Sequence, residues 1–134
     1  MTTDAPCPFC FPEPSKIILS NEHALAFLDG FPVTPGHSLI VPRRHIVSFF
    51  EATAEEQAAL FDLVAQMRQL LVAERQPDGF NIGVNDGAAA GQTVMHLHVH
   101  LIPRYAGDTE DPRGGVRWIM PEKAPYWKKQ LNRG

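Results

Sequence analysis

Apolar residues recur along this chain with two periods, and the change between them marks its elements. Ile17, Ile18 and Leu19, then Ala24 to Leu28, form two short apolar runs. Ser20, Asn21 and Glu22 supply turn chemistry between them, which predicts two strands in a hairpin, with His23 as a surface turn residue. Pro32, Pro35 and Gly36 bar regular structure from FPVTPGH, and SLIVP predicts a third strand stopped by Pro42. Near Thr53 the period changes. Thr53 and Glu56 have the spacing of a capping box. Leu60, Phe61, Val64, Met67 and Leu71 follow at helical steps, predicting one long helix with a core-facing stripe, ended by Pro77 and Gly79. FNIGVN then reads as a strand, DGAAAGQT as a loop, MHLHVHLIPR as a strongly alternating strand and GVRWIMP as a last strand. One long helix among strands joined by hairpin-length connections is an α+β domain with antiparallel pairing.

A chain of 134 residues suits one domain, 1–134. Prolines gather at 6–14 and 103–125, so an irregular N-terminus (about 1–14) and an extended C-terminal tail (about 106–134) are expected. No apolar run approaches the length of a membrane span. MTTDAPCPFC lacks the basic start and apolar centre of a signal peptide. A cytoplasmic protein without membrane contact is therefore expected. Net charge −3 and a pI near 6.0 argue against bulk nucleic-acid binding. The charge is uneven: residues 1–103 carry net −6 and residues 104–134 net +3. The basic tail is either a solvated surface or an aid to attracting an anionic ligand.

Candidate chemistry lies in the cysteines and histidines. Cys7 and Cys10 stand in CPFC, without the further cysteines of a disulfide framework or the helix of a redox motif. One CxxC supplies only two of the four ligands of a structural zinc site. His96, His98 and His100 alternate along a strand and share a face, with Leu97, Val99 and Leu101 on the core side. Same-face neighbours sit roughly 6.6 Å apart, so three such imidazoles converge poorly on one ion, although one or two can. As pure packing, six ring nitrogens would need partners. A neutral imidazole is also a good nucleophile near pH 7, and neighbours can fix its tautomer. His98 has a neighbour on each side. NDGAAAGQT runs directly into this strand, and such a loop can present backbone amides to an anion, with Gln92 and Thr93 adding side-chain donors. It lacks the pattern of a P-loop.

His96-Leu97-His98-Val99-His100-Leu101-Ile102, with PGHSLIVP upstream, resembles the signature of the histidine triad (HIT) family. AGQTVMHLHVHLIPR is similar to bacterial HIT hydrolases and to the fragile-histidine branch, the dinucleoside polyphosphate hydrolases. AFLDGFPVTPGHSLIVPRRH and RGGVRW extend the likeness over about residues 5–120. The resemblance implies a mainly antiparallel five-stranded sheet with one long helix and a short C-terminal segment, usually in a homodimer with a continuous sheet. It implies cleavage at the α-phosphate of a purine nucleotide or dinucleoside polyphosphate through a nucleotidyl-histidine. His98 would be the nucleophile, His100 would contact phosphate oxygens and His96 would support the array. Asp29 takes the ribose position, Phe27 a base-side position, and Asn85, Gly91, Gln92 and Thr93 phosphate-side positions. His37 would stand behind the triad. Cys7, Cys10, His45 and His96 would bind the structural zinc of some bacterial members; no organic cofactor is implied. Purine nucleoside phosphoramidase activity, nucleotide binding with little turnover, and metal catalysis through HxH are the alternatives.

Overall fold

The apolar runs become five strands, β1 (Ile17–Ser20), β2 (Ala24–Leu28), β3 (Ser38–Pro42), β4 (Gly79–Gly83) and β5 (Val99–Arg104), with one helix, α1 (Ala54–Arg75), between β3 and β4. This computed structural model describes residues 7–128; residues 1–6 and 129–134 of the expected irregular termini lie outside them. All pairings are antiparallel, in the order β1-β2-β3-β5-β4. The five-stranded sheet with one long helix matches the expected α+β architecture. The described residues divide into two compact units, with the boundary after Arg104.

Strand alternation sends side chains to two faces of the sheet. On one, Ala24, Ala26, Ile40, Leu97, Val99 and Leu101 pack with Leu60, Leu63, Val64, Met67 and Leu71 of α1. On the other, Leu25, Phe27, Leu39 and Val41 form a smaller apolar cluster joined by Phe9. The predicted helix stripe needs one correction. Phe61 is half-exposed while Leu63 is fully buried. Phe61 follows Leu60 by about 100° of rotation, which carries it off the core face. There its ring edge meets Phe49, with centroids 6.2 Å apart.

The start of α1 was legible in the sequence. Thr53 Oγ1 accepts from the Glu56 amide at 3.1 Å, and Glu56 Oε1 accepts from the Thr53 amide at 2.9 Å. Arg44 then donates to both Glu56 oxygens, at 3.0 and 2.8 Å. The Arg44 hydrogen bonds, then the Thr53 amide, hold the Glu56 carboxyl down at about 2. Its stabilising contribution is therefore complete above its ordinary value of 4.5 and is lost as pH falls toward 2. Because Arg44 is half-exposed, the ion pair is screened. Glu56→Gln is expected to cost about 1–2 kcal/mol in urea denaturation at pH 7, with a smaller difference from the parent below pH 3. The helix ends at Gln76, in left-handed conformation with φ 51°, directly before Pro77.

Residues 105–128 contain no strand among those described. GVRWI, expected to be extended, is a 3-10 helix over Gly115–Ile119. Gly114 enters it at φ 91°, and a side chain there would meet the Trp127 ring at 3.0 Å. Arg117 fixes the turn by donating to the carbonyls of Lys123 and Ala124, at 2.7 and 3.1 Å, and stacking on Tyr126. Local hydrogen bonds and cation–π contacts here set the conformation in place of the expected strand. Arg113 pairs with Asp111 and lies over Trp127, so it is part of the packing of this unit. No helix among the described residues is long and apolar enough to cross a membrane.

Candidate active site and metal centre

The histidines do not lie on one straight strand. β5 begins only at Val99, and residues 94–96 form a bend. The alternation nonetheless holds, with Leu97, Val99 and Leu101 buried in the helix-side core. His96 gathers with Cys7, Cys10 and His45, whereas His98 and His100 line a cleft, so the triad serves two sites.

His96 belongs to the first. Its Nε2 lies 2.9 Å from the Pro42 carbonyl, which can only accept, so Nε2 carries the proton and Nδ1 a lone pair. Nδ1 stands 3.1 Å from His45 Nδ1, 3.4 Å from Cys7 Sγ and 3.5 Å from Cys10 Sγ. Cys10 Sγ is 3.0 Å from His45 Nδ1, and all four donor atoms fall within 4.8 Å of one another. A tetrahedral ion with bonds of roughly 2.0–2.3 Å sets ligand–ligand edges near 3.3–3.8 Å, so the donor set fits. Burial, then the adjacent Cys7, push the Cys10 thiol up, as expected where two thiols crowd; a divalent cation between them reverses that effect. The Pro42 carbonyl is the kind of outer partner that orients a ligating histidine.

His98 and His100 belong to the second site. His98 Nδ1 lies 2.8 Å from the His96 carbonyl and must donate to it, which leaves the lone pair on Nε2. The rings of His98 and His100 are 5.1 Å apart. His37 accepts the Val33 amide at Nδ1, 3.1 Å away, so its proton sits on Nε2. That proton points at His100 Nδ1, 2.9 Å away. His100 therefore carries its own proton on Nε2. Asp29 Oδ2 is 3.4 Å from His37 Nε2, while Oδ1 accepts the Phe31 amide at 2.8 Å. Asp29, His37 and His100 also form a close donor cluster, but His37 presents a proton to it, so the geometry is a hydrogen-bonded relay.

Burial first lowers the pKa of His37, and burial with the neighbouring imidazoles lowers that of His100. Both stay neutral in the fold below their ordinary 6.5, whereas the unfolded chain protonates there. The unfolded state binds more protons in that window, so stability falls as pH drops below about 6.5. Thermal melts between pH 8 and 5 should show this acid-side loss, with a shallower slope in His37→Gln.

The turn that carries His37 is built for close approach. Gly36 has φ 91°, and a Cβ there would meet Leu71 Cδ2 at 2.9 Å. Thr34 Oγ1 donates to the Pro103 carbonyl at 2.6 Å, tying the turn to β5.

His98 and His100 open into a cleft of about 450 Å³. Phe27, Asp29, Asn85, Gly91 and Thr93 also line it, so one cavity gathers these expected residues. Gln92 is a correction. Its Nε2 donates to the carbonyls of Val47 and Val94, at 2.9 and 3.2 Å, and its Oε1 accepts the Gly87 amide at 2.8 Å. The side chain braces the loop and has no donor left for a ligand. The amides of Ala90, Gly91 and Gln92 likewise bond to carbonyls within the loop. Asp86, absent from the sequence reading, accepts from the Ser48 hydroxyl and the Phe49 amide, at 3.1 and 2.8 Å, and anchors the loop entrance. Phe9, Phe31, Leu39 and Val94 also line the cleft unforeseen. Phe9 sits between the two cysteines, and that position was its only signal.

The HIT domain family model matches residues 11–107. An uncharacterized HIT-like protein of Mycoplasma genitalium is 41% identical over 107 residues, 77% of this chain and 76% of that one. An asymmetrical bis(5'-nucleosyl)-tetraphosphatase of Schizosaccharomyces pombe is 37% identical over 98 residues, 73% of this chain and 54% of that protein. The crystal structure of a Zn-bound histidine triad family protein from Mycobacterium smegmatis superposes with a TM-score of 0.70 at 34% identity, covering 78% of this chain and 79% of that one.

Proposed function

Because this chain belongs to the HIT domain family, we propose that it is a nucleotide hydrolase acting at an α-phosphate through a nucleotidyl-histidine on His98. One observation carries this reading: the His98 ring lines the cleft with Nδ1 committed to the His96 carbonyl, the tautomer whose lone pair lies on Nε2. Purine nucleotides are the proposed ligands, the base toward Phe27, the ribose hydroxyls on Asp29 and the phosphates near Asn85 and Thr93. Dinucleoside polyphosphates are favoured as substrates, in keeping with the tetraphosphatase relative. Among the described residues that line the cleft none is Lys or Arg, and the imidazoles and neutral donors there would meet the phosphate charge.

The His98 Nε2 lone pair attacks the α-phosphorus in line, forming an N–P bond as the bond to the leaving oxygen breaks. The electron pair leaves with that oxygen, and the Nε2–H of His100 hydrogen-bonds developing charge on phosphate oxygens. Water then attacks phosphorus, the N–P pair returns to His98 Nε2, and the water proton passes to solvent. Positioning and preorganised donors supply the catalysis. His100→Gln should lower kcat by about 10²–10³-fold with little change in AMP affinity.

Cys7, Cys10, His45 and His96 would hold a structural zinc, which would fix the His96 ring and carbonyl. β4 is an edge strand with Ile82 half-exposed, and a second copy extending the sheet there would give the homodimer we propose.

Steady-state rates with diadenosine polyphosphate and with adenosine phosphoramidate, alongside mass spectra of the protein during turnover, test the reading. Hydrolysis of the polyphosphate with a nucleotidyl adduct on His98 is expected. AMP binding with no turnover of either substrate would leave a binding protein and end the hydrolase proposal.

A further inference from the structure

Phe9 touches both sites. It lies on the short arc between the ligands Cys7 and Cys10, and its ring lines the cleft. The ring centroid is 5.1 Å from that of His98, 5.7 Å from Phe27 and 6.1 Å from His96. We propose that Phe9 couples the metal clasp to the cleft, so that a bound zinc ion and a bound nucleoside monophosphate each raise the affinity for the other.

The segment that carries Phe9 is placed by the packing of that ring on Leu25, Phe27, Leu39 and Val41 and by the two cysteines beside it. Residues 7–13 belong to no strand or helix. Within the arc, the Cys10 amide reaches the Cys7 carbonyl at 3.3 Å, a local turn contact only. The thiols point at His45 and His96, which stand on the framework after β3 and before β5. A metal ion on these four donors therefore fixes the arc at both ends and sets the ring against Phe27 and His98. A nucleotide in the cleft buries more of that wall. It favours the arrangement in which the ring is already placed, and this differential contact is what coupling requires. Ordering the arc is a cost shared by both ligands, so whichever binds first lightens it for the second.

This rests on the nucleotide reading of the cleft, and AMP is the probe. The zinc dissociation constant of the holoprotein is measured by competition with a chromophoric chelator, with and without saturating AMP. AMP affinity is measured by calorimetry on zinc-loaded and chelator-treated protein. Both should change by the same factor, about fivefold or more, because linkage is reciprocal. That equality separates coupling from zinc binding by AMP itself. In Phe9→Ala the factor should fall to near one while both ligands still bind. Phe9→Leu, which keeps apolar bulk, should retain part of it and serves if the alanine variant fails to fold. Unchanged zinc affinity in the presence of bound AMP would overturn the coupling alone, as would a full factor in both variants. Absence of AMP binding to the zinc-loaded protein would overturn this proposal and the functional reading together.

Discussion

His98→Asn should reduce turnover by about 10⁴-fold or more while leaving AMP affinity within about fivefold of the parent. The asparagine amide can still donate to the His96 carbonyl, as His98 Nδ1 does at 2.8 Å, so the local backbone keeps its partner. No basic nitrogen then remains to take up phosphorus. His100 cannot substitute, because its Nδ1 is held by His37 and its Nε2 carries a proton. Single-turnover kinetics and AMP titration on the same preparation check this. Near-normal rates would remove His98 as nucleophile. A large loss of AMP binding would mean that the substitution had damaged the cleft.

The second large effect is on stability. Treatment with a strong chelator should lower the melting temperature by about 10 °C or more, and Cys10→Ser should start low and respond little. Structural zinc contributes much of the folding energy in zinc-finger peptides, about 10–16 kcal/mol. Here His45 and His96 are held by a framework with its own core, so only part of that energy is at stake. A metal on Cys7, Cys10, His45 and His96 would tie residues 7–10 to two otherwise separate stretches of chain, which is why its loss should be felt globally. A catalytic metal would give the opposite pattern, with activity lost and melting unchanged. Calorimetric melts and rates measured on the same chelated sample distinguish the two.

Much of the fold was legible because the decisive signals were local. Thr53 and Glu56 announced the helix, and the alternation of Leu97, Val99 and Leu101 announced the strand face. The C-terminal GVRWI misled because its short apolar run carries no sign of the local contacts; Gly114 and the Arg117 hydrogen bonds set that segment instead. At the site, the family resemblance named the residues that the structure gathers into one cleft and one Cys/His cluster, but the hydrogen bonds that fix each ring were not legible. The bend at 94–96 leaves no mark in HLHVH, and the place of His96 among the cysteines came from the family resemblance alone. Gln92 looked like a phosphate donor because its type allows it, yet its amide is consumed by Val47, Val94 and Gly87. Phe9 was hidden because contacts across many residues of sequence carry no periodicity.

The phosphorus stereochemistry of hydrolysis tests the covalent role of His98 most directly. A substrate made chiral at the α-phosphorus with sulfur, hydrolysed in heavy-oxygen water, should yield product with retained configuration, the sum of two in-line inversions at one centre. Inversion would mean that water attacks phosphorus directly and that His98 never bonds to it.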